Sequence, residues 1–157
     1  MRKFSARNVR FVIWSACILG MIGWIWGQSL LPAEASGAES GRVSAFLASL
    51  LGEDSALFLW LGPRIRKLAH FTEYFVLGIP VGLLLWNRRA MLRLPMLPAM
   101  FGGTTVAIAD EFFFQWLTPG RAPLWTDVLI DSCGYVGAVA LLALGYGLGQ
   151  AKEKNKT

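Results

Sequence analysis

Apolar residues are concentrated in four long segments, each close to the length needed to cross a lipid bilayer. They cover residues 11–31, 67–86, 97–117 and 126–148. A transmembrane α-helix needs about 20 consecutive, mostly apolar residues. The pattern therefore predicts an all-α integral membrane protein, a four-transmembrane-helix bundle in which residues 1–157 form a single domain.

The loop between the first two segments, residues 32–66, has a helical pattern of its own. One face of a helix is formed by apolar residues at the required spacing, namely Val43, Phe46, Leu47, Leu50 and Leu51. Ser40 is placed to cap the start of this helix and Gly52 to end it, and a second short apolar run follows at 56–62. We expect one or two short amphipathic helices here, lying on the outer leaflet or packing on the outer ends of the bundle.

The composition supports the membrane interpretation. Hydrophobic residues make up 55% of the chain and charged residues 16%, whereas a soluble domain averages about 45–50% and about 25%. The net charge is +5, but the basic residues lie at segment ends and in tails rather than on one clustered face. We therefore expect membrane lipids as partners and no nucleic acid.

Basic residues also predict the orientation of the bundle. The two tails and the loop between the second and third segments share one side of a four-helix topology. These regions carry Arg2, Lys3, Arg7, Arg10, Arg88, Arg89, Arg93, Lys152, Lys154 and Lys156. Because cytoplasmic loops are enriched in Lys and Arg, the pattern predicts a multi-pass protein of the cell membrane with both termini in the cytoplasm. The opposite side also has basic residues: Arg42, Arg64, Arg66, Lys67 and Arg121.

The first segment has an alternative interpretation as a signal peptide. Its flank is basic, and the sequence Ala-Glu-Ala at 33–35 resembles a cleavage site. The apolar core of a signal peptide spans about 7–15 residues, and this segment is longer. We therefore expect it to be retained as a helix.

Polar and ionisable residues interrupt three of the apolar segments near their outer ends. The predicted site consists of His70, Glu73, Tyr74, Glu111, Gln115, Asp127 and Asp131. The helical rise of about 1.5 Å per residue places the groups of all three segments at a similar depth. Several are four residues apart and so share a helical face, whereas Asp110 is expected to lie well round the helix from Gln115. Ionisable groups at this depth face the bundle interior or a water-filled cavity, so we predict an outward-facing polar site.

A turn is predicted next to this site, in the stretch Thr-Pro-Gly-Arg at 118–121. Pro119 suits the second position of the turn and Gly120 the third. The turn is expected to hold Arg121 over the mouth of the site, where it neutralises buried carboxylates. On the face of Asp131, Gly134 and Ala138 predict close helix packing.

Two stretches resemble the paired motifs of the VanZ-like membrane protein family. Residues 66–78 read RKLAHFTEYFVLG, and residues 110–137 read DEFFFQWLTPGRAPLWTDVLIDSCGYVG. By this resemblance the characteristic positions are His70, Tyr74, Gln115, Arg121, Asp127, Asp131 and Gly134. Three residues separate the acidic pair from the Gln, where the family pattern has two. The resemblance implies a polytopic membrane protein, some of whose relatives confer resistance to glycopeptides, notably teicoplanin, and it implies no established reaction.

Three functions fit the sequence. The first is a binding or scaffolding protein whose outer site holds a lipid-linked envelope precursor or a glycopeptide-type ligand and affects envelope-antibiotic tolerance. The second is an intramembrane enzyme acting on an envelope lipid, with His70 and Glu111 as candidate catalytic acid and base. The third is a small proton-coupled carrier. We prefer the first, because neither a nucleophile motif nor polar residues on the inner half are evident.

The sequence predicts no cofactor and no metal site, and it indicates no oligomeric state. Glu111, Asp127 and Asp131 could offer oxygen ligands to Mg²⁺ or Ca²⁺, but their spacing does not require an ion. One His without a Cys pair is a weak basis for a zinc site.

Overall fold

The regular elements of the protein are all helices, which confirms the predicted all-α class for the part of the chain described. The computed structural model describes residues 5–87 and 96–154. Its α-helices are α1 (Ala6–Ser29), α2 (Ala33–Leu51), α3 (Ala56–Leu61), α4 (Ile65–Asn87), α5 (Met96–Ala109) and α6 (Trp125–Lys154). A 3₁₀ turn, Gly62–Arg64, joins α3 to α4, and a π-helical segment, Asp110–Gln115, continues α5.

Among the described residues, three helical stretches are long and apolar enough to cross a membrane. They are Ala6–Ser29, Ala56–Trp86 and Trp125–Gly149. The second stretch contains α3, the 3₁₀ turn and nearly all of α4. The short apolar run at 56–62, for which the sequence predicts a separate helix, therefore extends the stretch that contains α4. Helix α5 coincides with the remaining predicted segment, but it has 14 residues and is not among these three. The membrane-helix character of the chain is thus established.

Large apolar side chains cover the outer surface of these helices. On α1, Leu19 is 70% exposed, and on α6 Leu129, Leu141, Leu144 and Leu148 are all exposed. A soluble monomer rarely presents an apolar surface of this extent to water. In a bilayer the same side chains contact acyl chains, while the helices satisfy their backbone hydrogen bonds internally.

The centre of the bundle is the pair formed by α4 and α6. Helix α4 has its most extensive contact with α6, α1 packs on α4, and α5 packs on α6. The core between them contains Ile25, Tyr74, Leu77, Ala107, Val128, Tyr135 and Val139. Through this packing, the polar residues of three elements are held at one level.

Glycines allow α4 and α6 to approach closely. A Cβ atom added to Gly134 would lie 2.3 Å from the carbonyl oxygen of Phe71, and one added to Gly78 would lie 2.6 Å from that of Tyr135. Ala138, one turn beyond Gly134, is also buried. The close packing predicted for the small-residue face of α6 is therefore confirmed.

The loop between the first two spans contains α2 and α3. Helix α2 begins at Ala33, so the predicted cap at Ser40 is wrong; Pro32 precedes the helix and makes no side-chain cap. The predicted end at Gly52 is correct, and its φ of 83° explains the glycine. The side of the membrane on which α2 lies stays a prediction.

Many of the basic residues that predict the orientation are not part of this description. Arg2, Lys3, Arg88, Arg89, Arg93 and Lys156 lie outside the described residues. The cytoplasmic placement of both termini therefore stays a prediction as well.

Candidate functional site

Four buried ionisable side chains converge between α4, the π-helical segment and α6. They are His70, Asp110, Glu111 and Asp131, and one polar atom of each lies within 4.8 Å of those of the others. The three carboxylates are fully buried, and His70 is 8% exposed. We call these four residues the buried cluster. Its members come from three separate elements, as the common depth of the polar residues suggested.

The π-helical segment explains why two consecutive carboxylates both lie in the interior. A π-helix closes hydrogen bonds between residues five apart, so Asp110 can lie on the same side as Gln115. Asp110, Glu111 and Gln115 are all buried, whereas Phe113 is 60% exposed. The expectation that Asp110 lies away from the site is wrong, because it assumed regular α-helical geometry. The wider turn also accommodates the third residue between the acidic pair and Gln115.

Aromatic contacts fix the π-helical segment in place. The rings of Phe114 and Trp26 of α1 stack with centroids 4.6 Å apart. Phe112 packs on Trp125, the first residue of α6, at 4.3 Å. These contacts hold the segment against both neighbouring helices and so maintain the position of its carboxylates.

Glu111 has hydrogen-bond partners for both of its carboxylate oxygens. Gln115 donates Nε2 to Oε1, and the backbone N–H of Leu124 donates to Oε2 at 3.1 Å. Arg66 in turn donates to Gln115 Oε1 at 3.4 Å. Arg66 was not among the predicted site residues, although it lies four residues before His70 and so shares its helical face.

The other members of the cluster have polar atoms without hydrogen bonds. These are both carboxylate oxygens of Asp110 and Asp131, and Nδ1 of His70. His70 Nδ1 lies 3.4 Å from Asp131 Oδ1, within ion-pair distance but without hydrogen-bond geometry. The buried hydroxyl of Tyr74 also lacks a partner. Buried polar groups are nearly always hydrogen-bonded, so this concentration of unpaired atoms indicates a site rather than ordinary packing.

A cavity of about 370 Å³ lies beside the buried cluster. It is open on one side and is lined by the end of α1, by α2, by the start of α4 and by Arg121. Its apolar lining is contributed by Val43, Leu47, Ile65, Leu68 and Ala69, and its polar lining by Gln28, Ser29, Ser36, Glu39, Ser40, Arg66, His70, Thr72, Glu73 and Arg121. His70 belongs to both the cavity wall and the buried cluster, so it connects the two.

The turn before α6 has the predicted geometry. The carbonyl of Thr118 accepts a hydrogen bond from the Arg121 N–H at 3.2 Å, and Gly120 has a φ of 76° in the third position. This is the pattern of a type II turn, which favours glycine there. Thr118 Oγ1 also donates to the carbonyl of Ser29 at 3.0 Å, which anchors the turn to the end of α1.

Within the described residues Arg121 forms no direct ion pair with the buried carboxylates, although it lies near enough to Asp110 and Glu111 for their charges to attract it. Its Nη2 donates to the carbonyl of Gln28 at 3.0 Å, because the turn directs the side chain towards the end of α1. Burial and the like charge of Arg66 lower the pKa of Arg121 from its ordinary value. Two guanidinium groups therefore lie near one another at the cavity.

The remaining predicted residues lie around the cluster rather than in it. Asp127 is buried but pairs with the exposed Lys67, whose Nζ is 3.9 Å from Oδ1. Glu73 is half-buried and lines the cavity. Gln115 and Tyr74 adjoin the cluster, the first through its bond to Glu111. Of the predicted residues, the structure thus places His70, Glu111 and Asp131 in the buried cluster, Glu73 and Arg121 in the cavity wall, and the other three beside the cluster.

Comparison with known proteins identifies a family. The model of the family described as VanZ/LLP1 matches residues 11–146, a range that contains the cavity and the buried cluster. No curated protein and no solved structure matches the chain significantly.

Proposed function

The chain belongs to the VanZ/LLP1 family, and on that basis we propose that it is a multi-pass cell-membrane protein that binds an amphipathic envelope ligand on its outer side. The proposed ligand is a lipid-linked envelope precursor or a glycopeptide-type molecule, and its binding affects envelope-antibiotic tolerance. The observation that supports this best is the cavity of about 370 Å³, which is lined by both apolar and charged side chains.

The cavity lining suits a ligand with an apolar part and a polar head. Its volume falls within the range of about 300–1,000 Å³ that is typical of ligand sites. Val43 and Leu47 of α2 offer apolar contact, and they are four residues apart on one face. Arg66 and Arg121 can bind a phosphate or carboxylate through paired N–H donors. Glu73 can accept hydrogen bonds from hydroxyl or amide groups of the head.

Filling the cavity tests this function. We expect Ala69→Phe to lower the amount of lipid that copurifies with the protein by at least about tenfold, because a benzyl group would occupy space that the ligand needs. The measurement is mass spectrometry of lipids extracted from the purified full chain, normalised to protein.

The matched control is Ala45→Phe on α2, an exposed position that does not line the cavity. It adds the same side chain and should leave the bound lipid unchanged. Equal lipid content in the wild type and both variants would refute the cavity as the binding site. Abundance in the membrane should be the same for all three proteins.

The proposed topology adds a fourth span to the three helices established above. The 14 residues of α5 and the 6 of the π-helical segment form one continuous helical stretch. Together they reach the length of about 20 residues that a span requires. Four spans place both termini on the same side, and the basic residues of the tails favour the cytoplasm.

Cysteine labelling tests this topology. In a variant without Cys17 and Cys133, single cysteines at Asp54 and Ala122 should react with an impermeant maleimide added to intact cells. Cysteines at Ala6 and Ala151 should react only after the membrane is opened. All four positions are exposed, so accessibility is not limited by packing. Labelling of position 151 in intact cells would show that the C-terminus lies outside, which is the opposite of the proposed orientation.

An intramembrane enzyme is the second candidate function, and one observation favours it. His70 and Asp131 approach to 3.4 Å next to the cavity, so a small side-chain movement would bring them within the hydrogen-bond distance that proton transfer requires. Glu111 is less suited to act as the base, because both of its oxygens accept hydrogen bonds. The acid–base pair on this alternative is therefore His70 and Asp131.

A proton-coupled carrier is supported least. Further along the interface of α4 and α6 from the buried cluster, Leu77, Ala138 and Val139 are buried and apolar, and Tyr135 adds a single hydroxyl. A proton path needs polar groups or water at each step, so mostly apolar packing on this stretch of the described chain counts against a carrier.

A further inference from the structure

We propose that the buried cluster binds a divalent transition-metal ion, with His70, Asp110, Glu111 and Asp131 as its ligands. The sequence suggested a different acidic set, which included Asp127, and predicted no metal. In the structure, Asp110 rather than Asp127 lies beside Glu111 and Asp131, and His70 contributes an imidazole. The proposal does not depend on the ligand of the cavity, because the four side chains form a site of their own.

The separations within the cluster suit a single ion. One potential ligand atom from each residue lies within 4.8 Å of the others. Metal–ligand bonds of about 2.0–2.2 Å place ligand atoms on opposite sides of an ion roughly 4 Å apart. Small side-chain movements therefore bring all four atoms into one coordination sphere. Glu111 can take part while it keeps its hydrogen bonds, since each carboxylate oxygen has two lone pairs.

The buried cluster contains more acidic than basic groups, and a bound cation would neutralise the excess negative charge. Three carboxylates lie together, fully buried, and His70 is the only cationic side chain that pairs with any of them among the described residues. Two carboxylate charges about 4 Å apart repel each other by about 4 kcal/mol at an effective dielectric constant of about 20. Ser29 and Gln115 lie close enough to Asp110 to stabilise its carboxylate, but both are neutral and leave the charge of the cluster unchanged. A divalent ion would offset this repulsion.

Unpaired buried atoms supply a second, independent indication of a ligand. Both oxygens of Asp110 and of Asp131 are buried without hydrogen bonds, and so is His70 Nδ1. The unpaired hydroxyl of Tyr74 lies close enough to Asp110 and Asp131 to interact with them electrostatically. Metal-binding carboxylates are usually oriented by hydrogen bonds from outside the ligand set, and Gln115 already provides one for Glu111.

The ligand types indicate which metals fit. Imidazole is typical of zinc, iron and copper sites, whereas carboxylates suit manganese, magnesium and calcium. One imidazole with three carboxylates favours Zn²⁺ or Mn²⁺ over Mg²⁺ and Ca²⁺, which prefer oxygen ligands alone. His70 also lines the cavity, so an ion here is accessible from that side.

Metal titration tests the proposal. The full chain, purified in detergent and freed of its affinity tag, is stripped with EDTA and then given Zn²⁺ or Mn²⁺ alone. We expect one ion per chain by elemental analysis and a rise in Tm of about 5 °C or more at saturating metal. Asp110→Asn and Asp131→Asn should each weaken binding by at least about 100-fold.

Asp127→Asn is the matched control. Asp127 is buried on the same helix as Asp131 but lies outside the cluster and acts on Asp131 and Glu111 only through its charge, so this variant should bind the metal within about tenfold of the wild type. A wild-type protein that binds neither ion would overturn the proposal, and this result does not require any variant to fold. Unchanged binding by both Asp110→Asn and Asp131→Asn would also overturn it, since the ion would then lie elsewhere.

Discussion

Replacing Gly134 by alanine is expected to destabilise the protein by about 3 kcal/mol or more, at the upper end of the range for overpacked cores. The added Cβ would lie 2.3 Å from the Phe71 carbonyl oxygen and 3.2 Å from the Phe75 nitrogen. Both are backbone atoms of α4, so no side-chain rotation can relieve the contact. The helices must separate, and the buried polar residues between them would lose their common geometry.

Gly137→Ala provides the comparison on the same helix. Apart from the neighbouring backbone of α6 itself, no atom lies within 4 Å of a Cβ at Gly137, so this substitution should be neutral or stabilise the helix by up to about 1 kcal/mol. The measurement is reversible unfolding in mixed micelles, together with abundance in the membrane. Similar stability of both variants would show that α4 and α6 do not meet closely at Gly134.

The helices could be predicted well because their signal is local. Continuous apolar residues over the width of a bilayer are sufficient to indicate α1, α4 and α6, whatever the tertiary contacts are. The sequence pattern predicts a start for α2 that is too late, because Ser40 is a favourable capping residue. The observed helix begins at Ala33, where the N–H lies 3.4 Å from the carbonyl of Pro119. That contact joins residues far apart in the chain, so the local pattern does not reveal it.

The polar site could be predicted only in outline. Helical rise is enough to place His70, Glu111 and Asp131 at a common level. The inward position of Asp110 depends on the π-helical geometry, and hydropathy does not distinguish a π-helix from an α-helix. The partner of Arg121 depends on where α1 ends, since the acceptor is the carbonyl of Gln28. Such contacts are set by tertiary packing.

Glu111 and Asp110 are adjacent, equally buried and acidic, yet their substitution is expected to have opposite effects. Glu111→Ala removes the acceptor for Gln115 Nε2 and for the Leu124 N–H. Hydrogen bonds to a charged group contribute about 1.5–3 kcal/mol each, so we expect a loss of about 3 kcal/mol or more. Glu111→Gln keeps one carbonyl acceptor and should lose about half as much. Leu124 lies next to α6, so the loss should also loosen the start of that helix.

Asp110→Asn should cost little stability in the presence of EDTA, because neither Asp110 oxygen has a hydrogen-bond partner to lose. A buried charge without a partner is itself unfavourable, so its removal is expected to leave Tm unchanged or raise it. The measurement compares Tm and membrane abundance for the wild type, Glu111→Ala, Glu111→Gln and Asp110→Asn under the same metal-free conditions. If Asp110→Asn were as destabilising as Glu111→Ala, Asp110 would have a structural partner. The inward position of Asp110 would then serve to stabilise the fold, and its oxygens would not indicate a binding site.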